Sequence, residues 1–214
     1  FNSIGSSVHK FNGTFNGNNY FINGLTYFNV DKYSTKNYFG LFGYVSNLST
    51  IRNLNVVANF VINFVQPQNN NSSITSTGII AGYNEGYIAN CNTYGGMICS
   101  LKDSSNKMSI AYVGAICGIN AGQTQAGLLN CKNYATIYIS ISDVENSTSL
   151  KENVSFYAGF ISGANLNGAI INKCENLATK NIDLNKGAIS GNENYTLIVI
   201  NKKSSTCNNY VGTL

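Results

Sequence analysis

Apolar and polar positions alternate in short runs along much of the chain. The segment TIYISI at 136–141 is the clearest example, because every second side chain in it is aliphatic. Such alternation is typical of a β-strand with one face toward a core and the other toward solvent. Short runs of small and aliphatic residues, such as Gly78–Gly82, are followed by Asn/Gly turns. The pattern predicts many short strands joined by tight turns.

These elements recur in a fixed order. Each unit has an aliphatic strand flanked by glycines, an Asn/Gly turn, a second strand, another turn and an alternating third strand. The second strand ends at one slot, and successive slots lie 37, 40, 43 and 33 residues apart. A repeat of this length is typical of solenoids and propellers. The slot residues are Leu54, Cys91, Cys131, Cys174 and Cys207.

Three short strands per unit favour a solenoid over the competing architectures. A propeller blade has about four strands and usually a Trp or Asp signature, neither of which is found here. Helices are disfavoured, because glycine recurs every few residues and costs up to ~1 kcal/mol in a helix interior. We therefore predict an all-β fold, a right-handed parallel β-helix of about five to six coils with corner insertions. Residues 1–214 would form one domain, with 1–38 as a lead-in coil and 39–214 as the repeats.

Packing explains the recurring cysteine. In a parallel β-helix, equivalent residues of successive coils stack about 4.8 Å apart. Cys91, Cys131, Cys174 and Cys207 would then form an internal ladder, since cysteine is small and commonly buried. A ladder of this kind is a structural feature and implies no chemistry.

Two other residue types recur beside the slot. Asparagines stand directly before it, and their side-chain amides would bond one coil to the next. Tyrosines follow it three residues later, and we expect them to stack inward or against the corner. These residues are Asn53, Asn90 and Asn130, and Tyr94, Tyr134 and Tyr210.

The glycine-rich segments resemble the GLUG repeats of bacterial and protist surface proteins, named after a Gly-Leu-x-Gly sequence. GLFGYVSNLSTIRNL at 40–54 matches that pattern, and TGIIAGYNEGYIANC at 77–91 matches its common variant. FNGTFNGNNYFINGL at 11–25 is similar to the lead-in coil often found before such repeats, with Asn16 in place of an acidic residue. The resemblance covers roughly residues 11–212. It implies a large secreted or surface-anchored protein, often an adhesin, without shared catalytic residues.

Low charge narrows the range of functions. Charged residues make up 10% of the chain, against roughly 25% on average, and the net charge of +4 is spread along it. Nucleic-acid binding usually needs a clustered basic surface, so we expect no nucleic-acid partner. No apolar run approaches the roughly 20 residues of a membrane span, so we expect no membrane span in this segment. The chain begins at Phe1 rather than Met, and we expect a processed product or an excised piece.

Six cysteines in a secreted chain raise the question of disulfides. In-register Cβ atoms about 4.8 Å apart exceed the usual ~3.8 Å of a disulfide, so we expect mainly free, buried thiols in the ladder. Cys99 and Cys117 lie outside the slot and are the pair that we expect to be bridged. Zinc and a catalytic cysteine are disfavoured, because there is no CxxC motif and His9 is the sole histidine. We expect neither a metal nor a cofactor.

The acidic residues do not recur in one slot. A β-helix lyase or glycosidase needs paired acids or an acidic calcium site, whereas this chain has nine Asp and Glu in scattered positions. We therefore expect no enzyme activity. The candidates are Asp143, Glu145 and Glu152 in one insertion, and Glu85, Glu175 and Glu193 at separate turns.

Seven Asn-x-Ser/Thr sequons are about as many as chance gives in a chain with 36 asparagines. Those in the corner insertions lie where a glycan would be tolerated, and Asn71, Asn146 and Asn153 are our preferred sites if the source is eukaryotic. The remaining sequons begin at Asn12, Asn47, Asn70 and Asn194.

The function we expect is that of a secreted or cell-surface scaffold. A stiff rod, as an adhesin segment or a fibre component, would display the insertions 65–75, 102–109 and 143–153 along one edge. We expect two kinds of partner. The first is another copy of the chain, by end-to-end self-association, or neighbouring domains of a longer chain. The second is a host or matrix glycan or protein. The alternative is a carbohydrate-binding or carbohydrate-cleaving β-helix, which a shallow groove lined by acids and tyrosines would favour.

Overall fold

A computed structural model shows how the strand pattern folds. Within the residues it describes there are 23 β-strands and no helix, so the all-β prediction is confirmed. The described residues are 1–29, 36–65, 73–103, 109–122, 127–143, 154–166, 168–178, 183–186, 195–199, 202–204 and 207–211.

The strands are short and follow one another closely along the chain. In chain order they are β1 (Thr14–Asn16), β2 (Phe21–Asn29), β3 (Lys36–Phe39), β4 (Phe42–Val45), β5 (Thr50–Arg52), β6 (Asn55–Val65), β7 (Ser73–Thr77), β8 (Ala81–Asn84), β9 (Tyr87–Ala89), β10 (Asn92–Asp103), β11 (Ser109–Gly114), β12 (Cys117–Asn120), β13 (Gly127–Leu129), β14 (Lys132–Asn133), β15 (Thr136–Asp143), β16 (Val154–Gly159), β17 (Ser162–Asn165), β18 (Ile170–Asn172), β19 (Glu175–Asn176), β20 (Asp183–Lys186), β21 (Tyr195–Val199), β22 (Lys202–Ser204) and β23 (Cys207–Val211).

Four sheets collect equivalent strands from successive repeats. Sheet 1 has the order β1-β5-β9-β13-β18, and sheet 3 has the order β21-β16-β11-β7-β3. Sheet 2 contains β2, β6 and β10, followed by β14 and β15 and then by β19 and β20. Sheet 4 has the order β22-β23-β17-β12-β8-β4. The described strand pairs are parallel apart from the β22–β23 pair, which is antiparallel.

Equivalent apolar residues lie opposite each other in neighbouring repeats. In sheet 1, Ile88 pairs with Ile51 on one side and with Leu128 on the other. All three side chains are buried. The register therefore places one apolar slot of the sequence on one line across the sheet, as the alternating pattern requires.

One buried core receives side chains from all four sheets. Ile88 comes from sheet 1, Phe60 from sheet 2, Val113 from sheet 3 and Phe42 from sheet 4, and they belong to a single apolar cluster. Burial of a large aliphatic or aromatic side chain stabilises a fold by about 1.5–3 kcal/mol. The interior of the molecule is therefore shared by the four sheets rather than divided between pairs of them.

The repeat contains four strands where we predicted three. The additional strand is the one in sheet 3, and β7 lies at the end of the segment 65–75 that we had assigned to an insertion. Its sequence, SITST, has a single aliphatic residue, so its alternation was not visible. Of the predicted strand Gly78–Gly82, residues 78–80 form a corner between β7 and β8, whereas Ala81 and Gly82 begin β8.

Glycine is required in the strand that follows this corner, because sheets 3 and 4 approach each other closely there. A Cβ on Gly82 would lie 2.6 Å from the amide nitrogen of Phe39 and 2.7 Å from the carbonyl carbon of Tyr38. Gly118 is similar, since its Cβ would lie 2.6 Å from the amide nitrogen of Thr77. Cβ atoms do not approach backbone atoms so closely. The second glycine of each glycine-rich segment thus permits the contact between two sheets.

Candidate functional site

The slot after sheet 1 holds three buried cysteines. Cys91, Cys131 and Cys174 are fully buried free thiols, and the thiol of Cys131 lies beside those of the other two. Each donates to the carbonyl oxygen two residues earlier; for example, Cys91 Sγ lies 3.1 Å from the oxygen of Ala89. The residue before each cysteine has a positive φ, which turns the chain from sheet 1 into sheet 2. The thiols fill the inside of this turn.

Burial works against thiol chemistry at Cys131, the central residue of the three. It raises the pKa of the Cys131 thiol well above its usual value, and hydrogen bonding to Cys174 and Cys91 acts in the same direction. The thiolate is the nucleophilic and metal-binding form of cysteine. A buried, neutral Cys131 is therefore suited to packing.

The fourth slot residue is placed elsewhere. Cys207 begins β23, which pairs in parallel with β17 of sheet 4 and antiparallel with β22. Our alignment had put it at the corner after sheet 1, in line with Cys174. The segment before Cys207 lacks the second glycine turn of the other units, and β22 and β23 form an antiparallel pair there.

The disulfide that we expected between Cys99 and Cys117 is not formed. Both are buried free thiols, and they lie in different sheets, Cys99 in β10 and Cys117 in β12. The residues opposite Cys99 are Ile62 and Ile139, so its surroundings are aliphatic. Burial raises the pKa of both thiols.

The asparagines before the slot form the predicted hydrogen bonds between repeats. Asn130 Nδ2 donates to Asn90 Oδ1 at 2.8 Å, and Asn90 Nδ2 donates to Asn53 Oδ1 at 3.2 Å. The line continues from Asn53 to Asn16 at 3.1 Å. These amides are largely exposed, and they connect four successive repeats.

A second asparagine line is buried, and our sequence reasoning missed it. Asn84 Nδ2 donates to Asn120 Oδ1 at 3.0 Å, and Asn120 Nδ2 donates to Asn165 Oδ1 at 2.7 Å. Asn84 and Asn120 are fully buried, where an unpaired amide would be costly. The signal was the asparagine shared by the turns YNEG and INAG, which we had interpreted only as turn residues.

Tyrosines also stack between repeats. The rings of Tyr94 and Tyr134 are nearly parallel, with centroids 4.8 Å apart and an interplanar angle of 4°. Tyr134 is 38% exposed, so this pair lies on the outside of the molecule rather than in its core. Phe21 lies on the other side of Tyr94, at 5.7 Å between centroids. The side chain of Tyr210, the third predicted tyrosine, lies outside the described residues.

A tyrosine cluster around Glu85 was not predicted. Tyr44 of β4 stacks on Tyr83 of β8, with centroids 4.5 Å apart, and the ring of Tyr38 lies edge-on to both. Tyr44 Oη donates to Glu85 Oε1 at 2.6 Å, and Lys10 Nζ donates to Glu85 Oε2 at 2.8 Å. Lys10 Nζ also lies 4.4 Å from the centre of the Tyr44 ring.

The environment of these tyrosines keeps them protonated. Burial raises the pKa of Tyr44 strongly, and its hydrogen bond to the Glu85 carboxylate adds to the shift. The pKa values of Tyr38 and Tyr83 are also raised, first by burial and second by the negative charge of Glu85. Neutral phenols next to a carboxylate act as hydrogen-bond donors, not as bases.

Two of the acidic candidates can be placed. Glu85 belongs to the tyrosine cluster, and Glu175 Oε2 lies 3.5 Å from Lys132 Nζ in the preceding repeat. In the described part of the chain, no three His, Cys, Asp or Glu side chains form a group that could hold a metal ion. The side chains of Asp143, Glu145, Glu152 and Glu193 lie outside the described residues.

The preferred glycosylation sites Asn71, Asn146 and Asn153 also lie outside the described residues, as does most of each predicted insertion. Two other sequons can be placed, since Asn12 and Asn47 are both exposed. They are neighbours at one corner, where Ser46 Oγ donates to Asn12 Oδ1 at 3.4 Å.

Among the described residues, no helix has the length and hydrophobicity needed to cross a membrane. In comparisons with known proteins, no family model, no curated protein and no solved structure matched the chain.

Proposed function

We propose that the four sheets close around their common core into a right-handed parallel β-helix of about five to six coils. The parallel pairing of equivalent strands, one from each repeat, supports this closure. So does the core, because Phe42, Phe60, Ile88 and Val113 from four different sheets pack in one cluster. Parallel crossover connections are right-handed in nearly all proteins.

We propose further that the protein is a non-enzymatic structural or adhesive scaffold, secreted or held at a cell surface. The observation that carries this proposal is the use of its reactive and polar side chains. Cysteines, asparagines and tyrosines that could serve a site are engaged instead with the same residue types in the next repeat, as in Cys131, Asn90 and Tyr94. Such lines stiffen a rod and leave its insertions to make contacts.

The partners that fit this role are of two kinds. End-to-end association, or neighbouring domains of a longer chain, would extend the rod through the open edges of the sheets. Host or matrix glycans or proteins would bind the insertions 65–75, 102–109 and 143–153. The resemblance to GLUG repeats in the glycine-rich segments supports a surface location.

The experiment is adhesion of the purified chain to immobilised matrix proteins and glycans. Matched variants replace residues 66–72, 104–108 or 144–153 with Gly/Ser segments of the same length. We expect these variants to lose binding while keeping the melting temperature of the parent chain. Binding that survives all three replacements would contradict display by the insertions. A chain that binds nothing and stays monomeric at high concentration would contradict the scaffold proposal itself.

The tyrosine cluster favours a second candidate, a carbohydrate-binding role. Tyr38 and Tyr83 are half-buried beside the Glu85 carboxylate, and aromatic rings with a hydrogen-bonding acid are suited to sugars. Cleavage needs a second carboxylate about 5–9 Å away, and the described residues place no other acid in this cluster. Calorimetric titration with oligosaccharides tests the role, with Tyr83→Ala and Glu85→Gln expected to abolish binding and Tyr134→Phe expected to retain it.

A further inference from the structure

The pair Tyr94–Tyr134 differs in its exposure from the other stacked tyrosine pairs among the described residues. Tyr44–Tyr83 and Tyr112–Tyr157 also stack, at 4.5 and 5.0 Å between centroids. In each of those pairs one ring is more than nine-tenths buried, since Tyr44 is 8% and Tyr112 is 7% exposed. Tyr134 is 38% exposed and Tyr94 is partly exposed.

The geometry of this pair points to a covalent modification. We propose that Tyr94 and Tyr134 are the site of an intramolecular dityrosine bond, formed under one-electron oxidation by hydrogen peroxide and a haem peroxidase. The ring centroids are 4.8 Å apart, so rotation of the two side chains out of their stacked arrangement brings the ortho carbons edge to edge. The two residues also lie in adjacent repeats whose backbones are already hydrogen-bonded. Tyr134 N donates to the oxygen of Thr93, next to Tyr94, at 2.8 Å.

The reaction balances as follows. Each phenol loses one hydrogen atom to the oxidant and becomes a tyrosyl radical. The two radicals join through the ring carbons ortho to oxygen, and both rings regain aromaticity by moving the ortho hydrogen to oxygen. Two phenols and one hydrogen peroxide therefore give one biphenol and two waters.

The neighbours of the pair confine the bond to these two residues. On one side the ring next to Tyr94 is Phe21, which has no phenol group. On the other side the backbone position equivalent to Tyr134 is taken by Leu177, whose N donates to the oxygen of Asn133 at 2.7 Å. A bond between Tyr94 and Tyr134 would staple two successive repeats on the outer face of sheet 2. This inference depends on the geometry of the pair alone and goes beyond the proposed adhesive role.

The test is oxidation of the purified chain at low concentration with hydrogen peroxide and a haem peroxidase. We expect a monomer with blue biphenol fluorescence and a mass lower by two hydrogen atoms. Tryptic digestion, which cuts after Arg52, Lys102, Lys132 and Lys151, should then give a cross-linked product of peptides 53–102 and 133–151. The protein should also need more urea to unfold after oxidation than before.

Phenylalanine variants locate the bond without removing the stacked rings. Tyr134→Phe and Tyr94→Phe should each abolish the monomeric product, whereas Tyr112→Phe should leave its yield unchanged. Circular dichroism and melting temperature check that each variant is folded. Product that persists in Tyr134→Phe, or that maps to another pair, would overturn the proposal. Cross-linked dimers without cross-linked monomer, as expected if the exposed Tyr20 reacts first, would overturn it as well.

Discussion

Asn130 Nδ2 donates a hydrogen bond of 2.8 Å to Asn90 Oδ1, although 40 residues separate the two in the chain. Both asparagines are in the left-handed region, with φ of 50° and 53°. Asparagine enters this region more readily than other non-glycine residues. One residue type therefore makes the turn between two sheets and also joins one repeat to the next.

Replacing Asn90 separates these two roles. Asn90→Ala removes the bonds to Asn53 and Asn130 and places alanine in the left-handed region, so we expect a loss of about 2 kcal/mol in the free energy of unfolding. Asn90→Gly removes the same bonds but adopts positive φ freely, so its loss should be about 1 kcal/mol smaller. Urea denaturation followed by circular dichroism measures both. Equal losses in the two variants would show that the backbone conformation is unimportant.

The close contact of sheets 3 and 4 leads to a second prediction, which concerns Gly82. Gly82→Ala would place a Cβ 2.6 Å from the Phe39 amide nitrogen, and backbone atoms cannot rotate away as a side chain can. We expect a loss of about 3 kcal/mol, or failure to fold. The control is Gly96→Ala, where the nearest atom is the Thr136 hydroxyl oxygen at 3.1 Å and a change within about 0.5 kcal/mol is expected. Melting temperature and soluble yield distinguish the two variants.

Where positions could be predicted from the sequence, the prediction came from residues that recur at the same place in successive repeats. Asn90 and Asn130 hold equivalent slots, and periodicity alone indicated that their side chains would meet. The fourth strand of the repeat was hidden, because SITST at 73–77 is almost entirely polar and lies next to a variable segment. Its partner β11 has the more apolar sequence SIAYVG, so this strand of the repeat forms from either a polar or an apolar sequence.

The tyrosine cluster was only partly predictable, because Tyr44 and Tyr83 hold equivalent slots and lie opposite each other in β4 and β8, whereas its other members do not hold equivalent slots. Tyr38 and Tyr83 come from sheets 3 and 4 of different repeats, and only the packing of the two sheets brings their rings to 5.1 Å. Glu85 and Lys10 are 75 residues apart. Contacts of this kind depend on the angle and register between sheets, which the strand pattern of one repeat does not contain.

Buried thiols give a prediction for alkaline pH. Burial raises the pKa of Cys99 and Cys117 above the ordinary value of 9.0. Above about pH 9 the unfolded chain loses these protons while the folded chain keeps them, so the stability present below that pH is lost as pH rises. Each thiol contributes up to about 1.4 kcal/mol per pH unit.

We therefore expect the free energy of unfolding to fall between about pH 9 and pH 10, before most tyrosines titrate. The variant Cys99→Ala/Cys117→Ala should show a shallower fall over the same range, whatever its stability at pH 7. Urea denaturation at closely spaced pH values measures the slope. Identical slopes in the parent chain and the variant would show that these thiols are not shielded from water.

The bond between Tyr44 and Glu85 gives the last prediction. Tyr44 Oη is 2.6 Å from a carboxylate oxygen in a partly buried site, and hydrogen bonds to charged groups are worth about 1.5–3 kcal/mol. Tyr44→Phe should lower the free energy of unfolding by about 2 kcal/mol, while Tyr134→Phe, with its ring more exposed, should change it by less than about 0.5 kcal/mol.

A double-mutant cycle with Glu85→Gln separates this bond from ring packing. In the Glu85→Gln background the phenol has a neutral acceptor, so Tyr44→Phe should cost about 1 kcal/mol less than in the parent chain. Additive stability losses in the cycle would mean that Tyr44 contributes through its ring alone.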